Sequence, residues 1–244
     1  MNRIQQIQYL IQVLLKEMPA YQEQARAFPQ DELSQRRLLR SLMNVRPPMP
    51  LDPSFLAVQD ALLSAEREEK GVVEADTLPD RPGHPGITVW QGDITRLKAD
   101  AIVDADNDRL LGCFVPCHGC IDNAIHSFAG VQLRLACQQL MQRQGHEEGT
   151  GEAKITPAYN LPCRYVLHTV GPIITGRVTG RDCQLLASCY RSCLDLAARH
   201  GCRSVAFCCI STGEFHFPGE LAAQIAIQTV RAWQRQNPDR KSVV

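Results

Sequence analysis

Apolar side chains recur every three or four residues at the start of the chain, which predicts an amphipathic helix. The positions that would share its buried face are Ile4, Ile7, Leu10, Ile11, Leu14, Leu15 and Met18. Two more helices are predicted to begin at Asp31 and at Asp52-Pro53, where aspartate is a favourable N-cap and proline suits the first helical position. Residues 71–86 carry several prolines and glycines, as linkers do. Residues 1–80 are therefore predicted to be a helical N-terminal extension and linker.

From residue 87 onward, short strand-like segments alternate with longer helical ones. Strands are predicted at 87–91, 101–105, 154–159, 165–170 and 204–210, and helices at 120–128, 131–144, 182–200 and 218–236. The stretch Ser204–Ile210 is apolar throughout, as expected of a strand that is buried on both faces. The alternation predicts an α/β domain over residues 81–240, in which helices cover both sides of a sheet to give three α/β/α layers.

The composition indicates a neutral protein. The chain has 26 acidic and 26 basic side chains, so its charge gives no indication of a nucleic-acid partner. No apolar run approaches the roughly 20 residues that a membrane helix needs. The first ten residues lack the apolar core of a signal peptide, and the eleven cysteines are an odd number. We therefore expect a cytoplasmic location, no membrane partner, and most cysteines to be buried as small apolar residues.

One short segment concentrates metal-binding side chains. Residues 113–122 read C-F-V-P-C-H-G-C-I-D. Thiolate and imidazole are preferred zinc ligands, and three protein ligands with one open position are typical of catalytic zinc. The predicted ligands are Cys113, His118 and Cys120, with Asp122 close to the open position. Cys117 is expected to be a bystander; as a fourth ligand it would close the site and make the zinc structural.

Two loops are predicted to meet at the carboxyl edge of the sheet, where open α/β sheets bind their ligands. The first, residues 107–122, contains the metal segment. The second, residues 211–218, reads S-T-G-E-F-H-F-P, and its small residues either bring backbone N–H groups onto a phosphate or form an ordinary tight turn. After the first strand of the sheet, Asp93 either accepts a hydrogen bond from an exocyclic amine such as that of adenine or caps a turn.

Three histidines near these loops have structural interpretations. His126 lies one helical turn after Asp122 and is predicted to be a core or capping residue. His168 lies in a strand and is expected to be satisfied internally. His216, inside the second loop, faces either a ribose or the solvent.

In this order, the motifs resemble those of a macrodomain. They are Q-G-D-I-T at 91–95, A-I-V-D-A-D-N at 101–107, L-L-G-C-F-V-P-C-H-G-C-I-D-N-A-I-H at 110–126, H-T-V-G-P at 168–172 and I-S-T-G-E-F-H-F-P at 210–218. The Cys/His loop and the helical extension resemble those of the zinc-containing subclass of bacteria and fungi. The resemblance implies a three-layer α/β/α macrodomain with a mixed central sheet. It also implies a zinc-dependent hydrolase that removes mono-ADP-ribose from modified protein side chains, with acidic side chains favoured.

The resemblance further implies roles for the matched residues. Asp93 would hold the adenine amine, the Ile94 backbone the adenine ring, and Asn107 the distal ribose. The implied diphosphate contacts are Cys120, Ile121, Ser211, Thr212, Gly213, Glu214 and Phe215. Zinc would be bound by Cys113, His118 and Cys120, and the implied catalytic residues are Asn107 and Asp122. Besides the ADP-ribosylated protein, the implied partners are a sirtuin-type ADP-ribosyltransferase and a lipoyl carrier protein.

This chain departs from the family in one motif. The family usually reads I-V-N-A-A-N-S where residues 102–108 read I-V-D-A-D-N-D. Three aspartates, Asp104, Asp106 and Asp108, thus replace an amide, a methyl group and usually a small polar residue. Carboxylates that point at the diphosphate are expected to weaken its binding, whereas solvated ones cost little.

Three functional hypotheses follow. In a hydrolase, zinc polarises a ribose hydroxyl or activates water, Asp122 orients or deprotonates the nucleophile, and Asn107 fixes the ribose. The alternative is a non-catalytic reader module that binds ADP-ribose without cleaving it. The third hypothesis is a structural zinc domain, which a ligating Cys117 would favour.

Overall fold

The computed structural model describes residues 1–50, 52–237 and 241–243. Its N-terminal part is helical, as predicted, with α1 (Arg3–Glu17), α2 (Gln22–Arg26), α3 (Glu32–Val45) and α4 (Pro53–Lys70). Asn2 and Gln5 form a capping box at the start of α1. Asp31 and Asp52 cap α3 and α4, each accepting backbone N–H bonds as predicted. The short α2 was not predicted.

The helical extension packs onto the domain that follows it. The apolar faces of α1, α3 and α4 share one buried cluster, which Val131 of the later domain completes. Of the predicted face of α1, Ile4 and Leu15 are only half-buried, while the other members are buried. The linker is also docked, since Val73 and Leu78 pack against the core of the domain. The extension therefore buries its apolar face within this chain.

A six-stranded sheet forms the centre of the domain. The strands in chain order are β1 (Val73–Glu74), β2 (Ile87–Thr88), β3 (Leu97–Lys98), β4 (Ala101–Asp106), β5 (Ala153–Pro157), β6 (Tyr165–Val170), β7 (Ser204–Ala206) and β8 (Lys241–Val243). The order across the sheet is β2-β8-β7-β4-β6-β5, and β1 pairs with β3 separately. Among the described strands of the large sheet, only the β5–β6 pair is antiparallel. The predicted mixed sheet is confirmed.

Helices cover both faces of this sheet. Helices α7 (Gly180–Arg199) and α8 (Gly219–Gln234) cover one face, and α5 (Ile121–Ala129) and α6 (Val131–Gln144) cover the other. Ala101 and Val103 of β4 pack with α7 and α8, whereas Ile102, between them, packs with α5 and α6. This alternation is the period of a β-strand, and it confirms the three-layer α/β/α fold. It also places Asp104 and Asp106 on the α5 side, because they follow Ile102 at intervals of two.

Some predicted boundaries differ from the observed ones. The strand predicted at 204–210 ends at Ala206, because the chain leaves the sheet there to form a loop. Helix α7 is capped by Thr179, and Asp182 completes its capping box instead of starting the helix. Strand β8 was not predicted, and the predicted domain end at residue 240 lies outside the described residues. In the part of the chain that is described, no helix is long and apolar enough to cross a membrane.

Candidate active site

A cleft of about 870 Å³ opens at the carboxyl ends of β4 and β7. Its walls are the loop from β4 to α5, the loop from β7 to α8 and the segment after β2. Every residue predicted to bind substrate or metal, or to act in catalysis, lines it. These are Asp93, Ile94, Asn107, Cys113, His118, Cys120, Ile121, Asp122, Ser211, Thr212, Gly213, Glu214 and Phe215. The fold thus brings all of these side chains together, while their individual roles stay predictions.

The side chains of Cys113, His118 and Cys120 converge at the start of α5. Their candidate ligand atoms lie within 4.8 Å of one another. Cys120 is the N-cap of α5, and its sulfur accepts a hydrogen bond from the N–H of Asn123 at 3.4 Å. Burial raises the pKa of the Cys120 thiol to about 11, and the neighbouring Cys113 adds to this rise. The Nδ1 atom of His118 is buried and has no hydrogen-bond partner in the described structure.

This donor set fits a zinc ion. Ligand atoms around tetrahedral zinc are roughly 3.3–3.8 Å apart for bonds of about 2.0–2.3 Å, so the three atoms need only small movements. A dication would bind the unpaired imidazole nitrogen and would stabilise both thiolates, opposing the rise that burial causes in the pKa of Cys120. Cys113, His118 and Cys120 are therefore suited to hold zinc with one position left for another ligand.

Cys117 faces away from these ligands. Its Sγ lies 3.3 Å from Ser41 Oγ and donates to the carbonyl of Arg37 at 3.6 Å, both on α3. Its backbone N–H donates to Asn44 Oδ1 at 2.9 Å. The sulfur thus packs on the helical extension, as expected of a bystander, and this geometry does not favour a closed four-ligand site.

Asp122 and Asn107 lie on the same wall of the cleft. Asp122 is buried in the first turn of α5, with Oδ1 3.5 Å from the Nε2 of His126. Burial raises the pKa of Asp122 well above its usual range, and the carboxylates of Asp106 and Asp104 raise it further. Asn107 accepts the N–H of Arg109 at 3.0 Å, which orients its amide at the cleft wall.

The loop after β7 is a tight turn that lines the cleft. Ser211 has a φ of 62°, and its buried hydroxyl has no hydrogen-bond partner among the described residues. The N–H of Phe217 donates to the Ser211 carbonyl and that of Ile174 to the Phe215 carbonyl, both at 2.9 Å, which holds the loop in place. A Cβ at Gly171 would lie 1.9 Å from Ser211 Oγ, so the two segments approach this closely only because residue 171 is glycine.

Glu214 connects this loop to the metal segment. Its Oε1 lies 3.6 Å from the Nε2 of His118. The resemblance implied a diphosphate contact for Glu214, whereas the structure brings its carboxylate to the imidazole. That contact favours the orientation in which His118 directs Nδ1 towards the two cysteines.

Asp93 caps a turn, which is one of the two interpretations that the sequence left open. Its Oδ1 accepts the N–H of Thr95 at 3.0 Å and the Thr95 hydroxyl at 2.6 Å. Its Oδ2 lies 3.9 Å from Lys70 Nζ, and the residue lines the cleft. One oxygen therefore has a structural role, while binding of a ligand amine by the other stays a prediction.

Comparison with known proteins establishes the family. The Macro domain family matches residues 103–226, about half of the chain. The chain belongs to the macrodomain family. It is 55% identical over 238 residues to a protein-ADP-ribose hydrolase of Treponema medium, covering 97% of this chain and 90% of that protein. A protein-ADP-ribose hydrolase of Staphylococcus aureus (strain MSSA476) is 50% identical over 208 residues, 85% of this chain and 77% of that one.

A solved structure agrees with this assignment. The Trypanosoma brucei macrodomain in complex with ADP-ribose superposes with a TM-score of 0.63 at 32% identity, covering 84% of this chain and 88% of that one. In the present macrodomain, the family match includes both cleft loops, whereas Asp93 and the helical extension precede it. The similarity to the Treponema protein covers nearly the whole chain, so it is not confined to the part that the family match covers.

Directly beneath the cleft of this macrodomain lies a group that sequence reasoning missed, here named the buried Asp/His cluster. Its members are Asp104, Asp106, His126 and His168. Burial, with the charge of Asp106, raises the pKa of Asp104 well above its usual range. Burial lowers the pKa of His126 to about 3. The pKa of Asp106 is lowered instead: burial alone would raise it, but the neighbouring His168 and the charge of His126 outweigh burial.

The three unusual aspartates have different surroundings. Asp108 is exposed, so its carboxylate is solvated and is expected to cost little in diphosphate binding. Asp104 is neither solvated nor at the diphosphate, contrary to both expectations, because β4 directs it into the core towards α5. His168 is satisfied on one side only, since Nε2 lies 3.0 Å from Thr156 Oγ1 while Nδ1 has no hydrogen-bond partner in the described structure.

Proposed function

We propose that this macrodomain hydrolyses the bond between a modified protein side chain and C1″ of the distal ribose, using zinc held by Cys113, His118 and Cys120. The coarser prediction, a protein-ADP-ribose hydrolase, is confirmed by the curated relatives of that name at 50–55% identity. The finer proposal is supported by one observation. The three ligand side chains, Asp122 and Asn107 line the same cleft as the loop after β7.

The cleft offers complementary chemistry along the length of ADP-ribose. At one end, Asp93 Oδ2 is available to accept a hydrogen bond from the adenine amine. In the middle, the N-terminus of α5 at Ile121 would direct its dipole at the diphosphate. The loop of residues 211–215 would add backbone N–H groups other than that of Thr212, which donates to the Cys209 carbonyl at 3.3 Å. At the other end, Asn107 and Asp122 meet the metal ligands, which is where the scissile bond of the distal ribose would lie.

We infer the following chemistry at that end. When bound, zinc supplies a Lewis acid for a ribose hydroxyl or water, and its charge favours the ionised form of Asp122. Asn107 holds the ribose by hydrogen bonding, which presents C1″ in one orientation. Asp122 orients the attacking water and accepts its proton at a carboxylate oxygen. The water oxygen bonds to C1″ while the bond from C1″ to the side chain breaks.

Acidic side chains are the proposed attachment sites. An aspartate or glutamate leaves as a carboxylate, whose conjugate acid has a pKa of about 4, so it departs without being protonated. An arginine leaves as a guanidine, whose conjugate acid has a pKa above about 12, so its departure requires a proton donor. Asp122 acts as a base in the proposed step, which suits the ester better than the guanidine.

Two partner proteins are proposed in addition to the chemical class of substrate. We propose that a lipoyl carrier protein, modified by a sirtuin-type ADP-ribosyltransferase, is a substrate, on the basis of the family resemblance. A reducing cytoplasm is the proposed location, and it fits the eleven cysteines, which are all free. Incubation of the modified carrier with this protein tests the partnership: mass spectrometry is expected to show loss of the ADP-ribose group. An unchanged mass would contradict it.

The central experiment measures release of ADP-ribose from proteins modified on aspartate or on arginine. The wild-type protein is expected to release it from the aspartate ester at least tenfold faster. Cys113→Ala and His118→Ala are expected to lose activity together with the zinc held by Cys113, His118 and Cys120. Cys117→Ala is the matched control, because its sulfur lies in the same loop but packs on α3, and it is expected to keep both.

Three outcomes would contradict the proposal in different ways. Full activity in Cys113→Ala that has lost the zinc of the Cys113, His118 and Cys120 site would remove that metal from the reaction. Tight binding of the modified protein without release would identify a reader module. Loss of zinc from Cys117→Ala to the same extent as from Cys113→Ala would support a closed structural site.

A further inference from the structure

The buried Asp/His cluster has the spacing of metal ligands, not of hydrogen-bond partners. His126 Nε2 lies 3.9 Å from Asp104 Oδ2 and 4.0 Å from Asp106 Oδ2. His168 Nδ1 lies 3.8 and 3.4 Å from the same two oxygens. Hydrogen bonds require about 2.5–3.2 Å, whereas ligand atoms of tetrahedral zinc are roughly 3.3–3.6 Å apart for N and O donors. These four N–O distances lie within a few tenths of an ångström of the tetrahedral values, and the ligand atoms of the four side chains all lie within 4.8 Å of one another.

The atoms that face this space are unpartnered. Both oxygens of Asp104, Oδ2 of Asp106, Nε2 of His126 and Nδ1 of His168 are buried and have no hydrogen-bond partner in the described structure. The side chains of Asp104, Asp106 and His168 are 0% exposed, and that of His126 is 4% exposed. Buried polar atoms without a partner destabilise a fold, because they lose their hydrogen bonds to water and gain none in return. An ion bound to all four side chains would satisfy them together.

The neighbouring polar contacts suit a metal ligand. Thr156 Oγ1 lies 3.0 Å from Nε2 of His168. A ligating histidine commonly donates its second N–H to such a partner, which fixes the ring and leaves the other nitrogen to the metal. Gly112 packs against the ring of His126, since a Cβ there would lie 2.9 Å from its Cγ. Both rings are thus held with a nitrogen directed at the carboxylates.

Charge also favours a cation here. Asp122 lies next to the cluster, 3.5 Å from His126 Nε2, so three carboxyl groups share one buried region. The nearby buried guanidinium of Arg134 makes its hydrogen bonds to backbone carbonyls, among them those of Leu111 and Asn44. None of the hydrogen bonds that it makes within the described residues goes to a carboxylate. The carboxylates therefore lack a bonded positive partner.

We propose that the buried Asp/His cluster is a second metal site, which binds a divalent transition-metal ion through two carboxylates and two imidazoles. This donor set suits a borderline ion such as zinc. The ion would link β4, β6 and α5 beneath the cleft, separately from the Cys/His site. The site does not depend on the proposed hydrolase function, because a reader with the same core would bind the ion equally.

Elemental analysis of the purified protein tests this site. The wild-type protein, loaded with zinc and desalted, is expected to hold two equivalents of metal. Asp104→Asn with Asp106→Asn, which keeps the side-chain shapes, is expected to hold one. Cys113→Ala is expected to hold one as well, lost from the other site. Asp108→Asn is the matched control, because this neighbouring aspartate is exposed, and it is expected to retain both.

Cobalt substitution provides a second test that leaves the cluster unaltered. Cys113→Ala loaded with cobalt(II) is expected to show the visible bands of a nitrogen- and oxygen-ligated ion without sulfur-to-metal charge transfer. This measurement decides the matter even if the double aspartate variant does not fold. A single metal equivalent in the wild-type protein, or cobalt-free Cys113→Ala, would overturn the proposal. So would an equal metal content of wild type and the double variant.

Discussion

Replacing Arg134 by methionine is expected to destabilise the protein strongly, because this one side chain joins three parts of the fold. Arg134 lies on α6 and is 4% exposed. Its Nη1 donates to the carbonyls of Asn44 at 2.7 Å and Arg46 at 2.6 Å, where α3 ends. Its Nε donates to the carbonyl of Leu111, in the loop of the metal segment, at 2.6 Å. A cation at a helix C-terminus also interacts favourably with the helix dipole.

The expected loss in the free energy of unfolding follows from the carbonyl oxygens that no longer have a donor. Methionine fills a similar volume but leaves five carbonyls without this donor, those of Met43, Asn44, Arg46, Leu111 and Cys113, each at a cost of about 1–3 kcal/mol. Because water and small shifts will recover part of this, we expect a loss of about 3–5 kcal/mol in the free energy of unfolding. Urea denaturation of the metal-loaded protein, followed by circular dichroism, measures it. The methionine variant is also expected to bind zinc more weakly, since it frees the loop at Leu111.

A matched arginine provides the control. Arg164 pairs with Asp100 at 3.1 Å, and its side chain is 58% exposed. An exposed ion pair contributes about 0–1 kcal/mol, so Arg164→Met is expected to change stability by no more than that. If Arg134→Met loses under about 1 kcal/mol, or no more than Arg164→Met, then Arg134 does not anchor the extension.

Two further predictions concern the cleft and the amino ends of β4 and β7. Gly171→Ala is expected to cost about 1–3 kcal/mol of stability by overpacking, because its Cβ would meet Ser211 Oγ; Gly176→Ala has open space and serves as the control. If the double variant with Ser211→Gly regains stability, the contact between the new Cβ and Ser211 is the cause of the loss. If Gly171→Ala is as stable as wild type, this contact does not cost stability. The pKa of Asp100 lies below its usual range: burial opposes this shift, but the N–H of Arg203 and other donors outweigh burial. Its stabilisation is therefore present above the unfolded pKa of about 3.9 and is lost as pH falls through the lower folded pKa. The Tm difference between wild type and Asp100→Asn should shrink below about pH 4, and a constant difference would contradict this sign.

Much of the cleft was predictable because its motifs are local. Cys113, His118 and Cys120 lie within eight residues, so their proximity needs only a short loop. The loops after β4 and β7 meet because the carboxyl ends of neighbouring parallel strands share an edge. The strand ends were less predictable: β7 is shorter than its apolar run because the last apolar residues enter the loop.

The orientation of individual side chains was not predictable in the same way. Cys117 has the same chemistry as Cys113 and lies four residues away, but contacts with Ser41 and Arg37 on α3 direct its sulfur away from the other ligands. The apolar face of α1 predicted burial without indicating what would cover it. The docking of the extension depends on contacts between residues that are far apart in the chain, such as Arg134 with Asn44.

By itself, the sequence determined the class of fold, the location of the cleft and the metal-binding segment, since periodicity and short motifs are properties of neighbouring residues. Only the tertiary structure decided which side chains lie beneath the cleft. The pairing of β4 with β6 places Asp104 opposite His168, and the packing of α5 adds His126 to them. These residues are 22 to 64 positions apart along the chain. Their proximity arises from strand register and helix packing, which depend on the whole core and not on any local pattern.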